Sequence, residues 1–394
     1  MRPLWRTGAV LIFFAATLTA GLEEDLAVGF DHFYNLEYDQ SIAAFEHSAA
    51  TWPKSPLPQD GLAQAILYRE MLRNGALDSE LIDGTNSFLR RPKLEASQDT
   101  TNRFFNAINK ALELAQQQLD ANPRDKTALH ARAVAYAFRS NWNFLVRKSW
   151  HDSLSDATSA RKAEDQILAI DPNDPDARLG QGVHEYIIGG LPWTWRTLGF
   201  LVGFHGDKVH GLATVENVAK YGVRNKADAE IMLCAFYRRE RESKKALPLL
   251  ADVIRQFPRN YLLRFEQAKM YADIGDGKNA LHLIDEIQRM KETKVPGLVN
   301  TPWVKIWFER ATIQFWYRQL DQSMANFQKV VAKPDEIDLY TGASSYMRMG
   351  QILDMQNHHA QAIADYRKSM DFSPQSDEAK ESHRYISTPF QRKP

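Results

Sequence analysis

Apolar residues recur along most of the chain at intervals of three and four, the spacing that places side chains on one face of an α-helix. The first clear series has apolar residues at positions 26, 30, 33 and 34, and a second follows at 38, 42, 45 and 49. Asn35 separates the two series, and Pro53 ends the second because its ring cannot continue a helical hydrogen-bond ladder. The pattern predicts two helices joined by a tight turn.

The helical pattern repeats at a fixed interval in the second half of the chain. Tyr237 and Ala246 recur 34 residues later as Tyr271 and Ala280. A period of this length is typical of helical hairpins that stack side by side, since one hairpin alone cannot bury its apolar face. Hairpins are predicted at 227–257 and 261–290, from position 303 onward, and in a last unit that ends near position 374.

The first half of the chain follows the pattern less regularly. Three prolines within 53–58 predict an extended connection. Further helices are predicted at about 60–73, 78–89, 101–121, 125–139, 152–170 and 207–221. The polar tail after about position 385 is predicted to be frayed.

Residues 187–204 form the most unusual stretch, because Arg196 is its only charge. Glycines and Pro192 interrupt it, and it is shorter than a membrane-spanning helix. One interpretation is an inserted hairpin buried against its neighbours. The other is an apolar site for a ligand, a partner or a membrane surface, formed by aromatic side chains: Tyr186, Trp193, Trp195, Phe200 and Phe204.

The N-terminus has the three parts of a secretory signal peptide: basic residues, an apolar run over 8–18 and small residues before an acidic stretch. Cleavage is predicted near 20/21, and an uncleaved membrane anchor is the alternative. The mature protein is therefore expected to be exported and periplasmic, with at most peripheral membrane contact.

Composition narrows the class of protein. Apolar residues make up 44% and charged residues 25%, as in a folded soluble protein, and Lys plus Arg equals Asp plus Glu at 49 each. No net field attracts nucleic acid, so no nucleic-acid partner is expected. Cys234 is the single cysteine, which excludes an intramolecular disulfide, and it is predicted to be a packing residue.

The sequence carries no convincing catalytic constellation, and no enzyme activity, metal or cofactor is predicted. No nucleophile elbow, phosphate-binding loop or zinc-protease motif is present. His205 and His210, and the adjacent His358 and His359, come without an obvious third ligand. The acidic loop 171–176 lacks the glycine and distal glutamate of a calcium-binding hand, so its aspartates are predicted to serve turns and helix caps.

The spacing of aromatic, small and proline residues resembles the tetratricopeptide repeat. The residues that carry this resemblance are Gly29, Phe45 and Pro53; Leu233, Tyr237, Ala246 and Pro258; Tyr271 and Ala280; and Tyr346, Gly350, Ala362, Tyr366 and Pro374. The resemblance implies an all-α, right-handed α-solenoid.

A narrower resemblance runs from Leu191-Pro192 through Gly206-Asp207-Lys208 to Gly211-Leu212. It is similar to the core of the tetratricopeptide family that includes the yeast inclusion-body-clearance, mitochondrial outer-membrane protein and bacterial relatives. The expected organisation is a signal peptide at 1–21, degenerate hairpins at 22–178, a unit with the apolar insertion at 179–222, a regular array at 223–380 and a tail at 381–394.

In the family that the chain resembles, the first helix of each hairpin lines a concave groove. This implies a non-enzymatic scaffold or adaptor that binds a peptide or protein segment; a binding protein for a small or lipidic ligand at 187–204 is the alternative. The residues implied near the groove are Arg238, Arg239, Lys269, Lys305, Phe308, Phe315 and Trp316. Arginine beside exposed aromatic rings suits a peptide carboxylate. The competing interpretation makes the three aromatic residues interhelical core.

Overall fold

The computed structural model describes residues 8–77, 94–190 and 206–392, with side chains from residue 20 onward. Within these residues the chain forms 17 α-helices and no strand. The all-α fold predicted from the sequence is confirmed. The predicted helix at 78–89 and residues 191–204 of the apolar segment lie outside the described residues.

The chain divides into two compact units, residues 1–240 and 241–394. The first unit contains α1 (Gly8–Tyr34), α2 (Tyr38–Thr51), α3 (Leu57–Arg73), α4 (Gln98–Ala121), α5 (Lys126–Trp142), α6 (Trp150–Ile170), α7 (Leu179–Gly189), α8 (Lys208–Tyr221) and α9 (Lys226–Arg239). The second contains α10 (Ser243–Gln256), α11 (Tyr261–Asp273), α12 (Gly277–Glu292), α13 (Trp303–Trp316), α14 (Leu320–Val331), α15 (Leu339–Met355), α16 (His359–Phe372) and α17 (Asp377–Ser387).

Helices that follow one another along the chain pack against each other. In the second unit this holds for every successive pair from α10 to α17. In the first unit it holds from α1 to α6 and from α7 to α9. Within each of these runs of helices the core therefore lies between neighbouring helices, as the period of 34 residues predicts. The domain boundaries predicted at 178, 222 and 380 differ from this division and stay predictions.

Two hairpins are locked in the same way, by a glycine on the first helix and a large residue sixteen positions later on the second. Gly29 faces Phe45 in this way, and Gly350 faces Tyr366. Phe45 and Tyr366 are both 0% exposed. A Cβ atom at Gly29 would lie 2.5 Å from the Phe45 ring, and one at Gly350 would lie 2.6 Å from the Tyr366 ring. The helices therefore approach closely because the first helix offers no side chain at this point.

A hydrogen bond also joins α1 to α2, and an equivalent bond joins α13 to α14. Ser41 Oγ donates a hydrogen bond to the Gly29 carbonyl oxygen at 2.9 Å, and Ser323 Oγ donates to the Ala311 carbonyl oxygen at 2.7 Å. Both serines lie twelve positions after their acceptor. Alanine takes this position in the hairpins of Ala246, Ala280 and Ala362, each 0% exposed. Only a small residue fits there, which explains why the repeat pattern is readable in the sequence.

Two elements begin or continue differently from the sequence prediction. Helix α3 begins at Leu57, inside the predicted extended connection, because proline is tolerated in the first helical turn, where its missing N–H has no partner to lose. Helix α1 runs from Gly8 to Tyr34 and so continues through the predicted cleavage position. No helix of the described ranges is long and apolar enough to cross a membrane.

The acidic loop 171–176 is used for turns and capping, as predicted. The Asp176 carboxylate accepts hydrogen bonds from the backbone N–H groups of Val223, Arg224 and Asn225 at 3.0–3.1 Å, immediately before α9. Lys126 forms ion pairs with Asp171 and Asp174 at 2.8 and 3.0 Å. The loop therefore ties α5 and α9 together. Cys234 is 4% exposed in α9, in agreement with a packing role.

Glu164 places a partly buried carboxyl group in the contact between α6 and α7, where it lies directly against Gly180. Burial and the neighbouring Asp165 carboxylate together raise the pKa of Glu164 to about 8. The ordinary glutamate pKa is near 4.5. Because the folded-state pKa is the higher one, the stabilisation from this group is complete below about pH 4.5 and is lost as pH rises through about 8.

We expect Glu164→Gln to flatten this pH dependence. The variant should match the wild type near pH 5 and exceed its stability at pH 9, by on the order of 1 kcal/mol after allowing for partial solvent screening. Thermal unfolding followed by circular dichroism across pH 5–9 measures the difference. Asp120→Asn is the matched control, since Asp120 is an exposed acid on another helix, α4. A wild type whose melting temperature does not fall between pH 5 and 9 relative to Glu164→Gln would contradict the assignment.

Candidate functional site

The residues implied near the groove fall into both units. Arg238 and Arg239 form the last turn of α9 in the first unit, whereas the other five lie on α11 and α13 of the second. Their partner-binding roles stay predictions. The structure shows which of them are accessible and which are already engaged.

In the first unit, Tyr186 is the centre of an internal contact. Its ring stacks on Phe236 with centroids 3.8 Å apart, and its hydroxyl donates to Glu240 at 2.7 Å. Burial and the Glu240 carboxylate raise the pKa of Tyr186. Arg239 lies over the same ring at 5.6 Å. Tyr186 is 1% exposed, so it packs helices together and offers no accessible apolar site.

The other residues of the predicted apolar site are not described by the structure. Trp193, Trp195, Phe200 and Phe204 all lie in the range 191–205. That hypothesis therefore stays a prediction.

In the second unit, the two predicted lysines belong to a buried ion cluster between α11 and α13. Lys269 lies between Glu266 at 3.1 Å and Glu309 at 2.9 Å, and Lys305 is 4.0 Å from Glu309. The side chains of all four residues are at most 13% exposed. The charge of each lysine is thus balanced inside the protein, which makes the cluster a link between the first helices of two hairpins.

The three predicted aromatic residues of α13 separate by helical position. Phe308 and Phe315 are 5% and 0% exposed and belong to a core cluster with Ala311 and Phe327. Interhelical packing, the competing interpretation, describes these two residues. Trp316 follows one position later, about a third of a turn around the helix, and is 46% exposed. Of the three, only Trp316 is available to a partner.

Arg348 on α15 was missed by the sequence analysis. Its guanidinium carbon lies 4.9 Å from the ring centroid of Phe315 and 5.0 Å from that of Trp316. It donates a hydrogen bond to Gln351 Oε1 at 2.7 Å, and burial lowers the pKa of the guanidinium. The carboxylates of Glu378 and Glu381 act on Arg348 electrostatically, but no carboxylate of the described residues lies within ion-pair distance of it.

A signal for Arg348 was nevertheless present in the repeat. Glu266 and Glu309 each lie two positions before the small residue of their hairpin, Ala268 and Ala311, and Arg348 lies two positions before Gly350. Aligning the hairpins on the small residue places Arg348 on the same face as the ion cluster.

The chain after α17 is ordered against this part of the second unit, which corrects the predicted fraying. Residues 388–392 are called the arm below. Their first residue, Thr388, is extended (φ −131°, ψ 102°), as expected for a residue before Pro389. The backbone N–H of Phe390 donates to Asp354 Oδ2 at 2.7 Å. The Phe390 ring lies 5.3 Å from Tyr385 and 6.4 Å from Phe315 between centroids.

Arg392 anchors the far end of the arm. Its Nη2 donates to the Trp316 carbonyl oxygen at 2.9 Å, and its Nη1 donates to the Phe315 carbonyl oxygen at 3.5 Å. Its guanidinium carbon is 5.3 Å from the centroid of the Trp316 ring. These carbonyl groups end α13, where the helix presents partial negative charge, so a cation is stabilised there. We call Trp316, Arg348 and these carbonyl groups the Trp316 surface.

Asp354 joins the arm to the helices. Its carboxylate accepts hydrogen bonds from His359 Nδ1 and the Tyr366 hydroxyl, both at 2.7 Å, in addition to the Phe390 N–H. The Asp354 side chain is 0% exposed. Burial and this carboxylate raise the pKa of Tyr366. Asp354 therefore holds α15, α16 and the arm at one point.

One cluster of the first unit approaches the geometry of a metal site. Ligand atoms of His130, Asp174 and Asp176 lie within 4.8 Å of one another. Asp176 already accepts several backbone hydrogen bonds, and Asp174 pairs with Lys126 at 3.0 Å. Because a cation would displace both sets of contacts, we assign the two aspartates to capping the turn before α9.

The sequence profile of the Iml2/tetratricopeptide repeat protein 39 family matches residues 104–331, which is more than half of the chain. The chain belongs to this family. The narrower resemblance found in the sequence is confirmed, and α4 to α14 lie wholly or almost wholly within the matched range. No curated protein matches the chain.

Solved structures similar to this Iml2/tetratricopeptide repeat protein 39 member include yeast Tom70, with 12% identity, coverage of 94% of this chain and 95% of that one, and a TM-score of 0.42. Human IFIT1, solved as a dimer with m7Gppp-AAAA, has 14% identity, coverage of 92% and 79%, and a TM-score of 0.44. A tetratricopeptide repeat protein from Parabacteroides merdae has 12% identity, coverage of 79% and 92%, and a TM-score of 0.32. These similarities carry no functional argument.

Proposed function

We propose that the protein is an exported, non-enzymatic scaffold that binds an extended segment of a protein partner at the Trp316 surface. The tetratricopeptide-type fold of its family stacks helical hairpins into interaction surfaces. The observation that carries the proposal is Arg348, which lies against two aromatic rings without a carboxylate partner among the described residues.

A desolvated cation of this kind favours a partner that brings an anion. The lowered pKa of Arg348 arises because burial removes water from the guanidinium. A carboxylate from a bound segment would replace that water, and the planar guanidinium can donate two parallel hydrogen bonds to it. Arg348 would therefore attract the carboxylate of the bound segment and also fix its orientation.

Trp316 supplies apolar contact area beside the cation. It is 46% exposed, whereas the neighbouring Phe315 is 0% exposed and holds the end of α13 in the core. A half-exposed tryptophan beside an arginine is a typical centre of a binding interface, since both residue types are enriched among those that contribute most to affinity. An apolar side chain of the partner would cover the ring.

The other predicted groove residues have different roles in this proposal. Lys269 and Lys305 keep the first helices of two hairpins together through Glu309. Arg239 is exposed on α9, where one of its faces covers Tyr186. Arg238 and Arg239 stay predicted partner contacts of the first unit.

Export is supported by the basic, apolar and small-residue sections of residues 1–21. Expression of the full chain in a Gram-negative host, followed by fractionation and N-terminal sequencing, tests this part of the proposal. A periplasmic product that begins near residue 21 or 22 is expected. A cytoplasmic product that retains residue 1 would contradict export.

Peptide binding is tested by panning a displayed library of random twelve-residue peptides against the full chain. We expect enriched peptides that contain an acidic residue near an apolar one. Trp316→Ala should weaken the binding of these peptides by at least about tenfold, because truncating a central interface residue commonly costs 2 kcal/mol or more. Arg348→Lys should weaken it similarly, since lysine keeps the charge but loses planar stacking and paired donation. Fluorescence anisotropy measures both affinities.

The matched control is Lys368→Ala. Lys368 also lies over an aromatic ring, at 5.5 Å from Tyr346, but on α16. Its removal should leave peptide affinity unchanged. Peptides that bind equally well to the wild type, Trp316→Ala and Arg348→Lys would place the interface elsewhere and overturn this assignment.

A further inference from the structure

We propose that the arm is an intramolecular competitor for the Trp316 surface, and that this surface binds in its place a partner segment with an aromatic residue two positions before an arginine. The inference rests on the proposed function, because it adds the sequence class of the ligand and its regulation. The occupant seen in the structure is residues 388–392 of the chain itself.

The arm makes the contacts that a bound peptide makes. Its backbone is extended at Thr388, and the Phe390 N–H is held by a buried carboxylate, that of Asp354. Phe390 lies between rings of α13 and α17, and Arg392 closes on the carbonyl groups that end α13. Side chains at positions i and i+2 of an extended segment point to the same side, which lets both reach one surface.

The recognition is chemically selective. An aromatic ring is required to fill the space between Phe315 and Tyr385, where Phe390 is partly buried against the core cluster. A cation is required at the end of α13, because the two carbonyl oxygens accept hydrogen bonds and Trp316 offers a ring face. Arginine fits better than lysine, since its guanidinium donates to both carbonyl groups at once.

The arm is also a displaceable occupant. Thr388, Pro389 and Gln391 are exposed, and Trp316 stays 46% exposed with Arg392 over it. The arm leaves Arg348 without a carboxylate within the described part of the second unit. A partner that offers the same aromatic and arginine contacts, with an acidic residue beside them, gains a contact that the arm does not make. Such a partner replaces the arm despite its tether.

The probe for this proposal is the fluorescein-labelled, C-terminally amidated peptide Ser-Thr-Pro-Phe-Gln-Arg, which copies residues 387–392. It is titrated against the full chain and against the full-length double variant Phe390→Ala/Arg392→Ala. The double variant should bind the peptide at least about tenfold more tightly than the wild type, because a tethered segment competes at an effective concentration on the order of millimolar. Peptides with alanine in place of Phe or Arg should lose at least tenfold in affinity for the double variant.

Gln391→Ala is the matched control in the arm, and it should bind the peptide as weakly as the wild type does. Circular dichroism of each variant checks that its helices are intact. Equal peptide affinities of the wild type and the double variant would overturn the proposal, as would a double variant that binds no peptide. A wild type that dimerises while the double variant stays monomeric, measured by light scattering, would instead assign the arm to a second copy and also overturn it.

The two proposals fail separately. Peptides selected from the random library that still require Trp316 and Arg348, together with no competition by the arm, would leave the proposed function standing and remove only this inference. Loss of the Trp316 and Arg348 dependence would remove both.

Discussion

Replacing Phe45 with alanine is expected to destabilise the first unit by about 3–5 kcal/mol, the usual cost of truncating a fully buried aromatic side chain. The Phe45 ring is 0% exposed and lies between Gly29 of α1 and Gly61 of α3. Because both helices approach the ring without a side chain of their own, neither can fill the cavity by a rotamer change. Urea unfolding followed by circular dichroism measures the loss.

A double-mutant cycle tests whether the ring and the glycine form one contact. Gly29→Ala alone should cost about 1–3 kcal/mol, since the added methyl group overlaps the ring at 2.5 Å. In the Phe45→Ala background the same change should cost much less, because the added methyl group then occupies empty space. Val223→Ala, at an 85% exposed position, is the control. Additive losses in the cycle would contradict the proposed locking contact.

Asp354→Ala is expected to cost about 3 kcal/mol in the second unit, because it leaves the buried Tyr366 hydroxyl and the partly buried donors of His359 and Phe390 without their acceptor. It should also release the arm, so that the Phe390 amide exchanges with solvent at the rate of an unprotected backbone. Hydrogen exchange followed by mass spectrometry of the C-terminal peptide measures the release.

Asp321→Ala is the matched control for Asp354→Ala. Asp321 lies on α14 and is exposed. It accepts one hydrogen bond, at 2.9 Å, from the side chain of Gln356, the residue directly after α15. Its removal should cost well under 1 kcal/mol and leave Phe390 protected. If Asp354→Ala left the Phe390 amide as protected as in the wild type, Asp354 would not be the group that holds the arm.

Much of the fold was predictable because the packing has a sequence period. The pair Gly29 and Phe45 has the same spacing as the pair Gly350 and Tyr366. In both hairpins the first helix needs a small residue where the second helix places a large one. The ends of α2 and α16 could be placed for the same reason, since Pro53 and Pro374 cannot continue a helix. The start of α3 was placed too late because proline is accepted in a first turn.

The site was less predictable because local patterns do not report which charges are already balanced. Lys269 and Lys305 have the spacing of groove residues, yet Glu266 and Glu309 compensate their charges inside the protein. Arg348 matters for the opposite reason, since no carboxylate reaches it in the described ranges. These differences depend on contacts between hairpins, which a pattern within one hairpin does not contain.

The arm was mispredicted because its stability comes from distant residues. Residues 388–392 are polar apart from Pro389 and Phe390, and composition alone indicates a frayed end. Their partners, Phe315, Trp316 and Asp354, lie 36 or more residues earlier in the chain. Three separate contacts of this kind hold the segment on the Trp316 surface.

The most direct test of the account is the environment of Trp316 while a library-selected peptide is titrated into the full-length protein. The indole N–H resonance of Trp316, assigned by comparison with Trp316→Phe, would be followed by two-dimensional nitrogen–proton NMR. The account predicts a saturable shift of this resonance at the same peptide concentration that gives half-maximal anisotropy. Saturating peptide binding with an unmoved Trp316 resonance would contradict it.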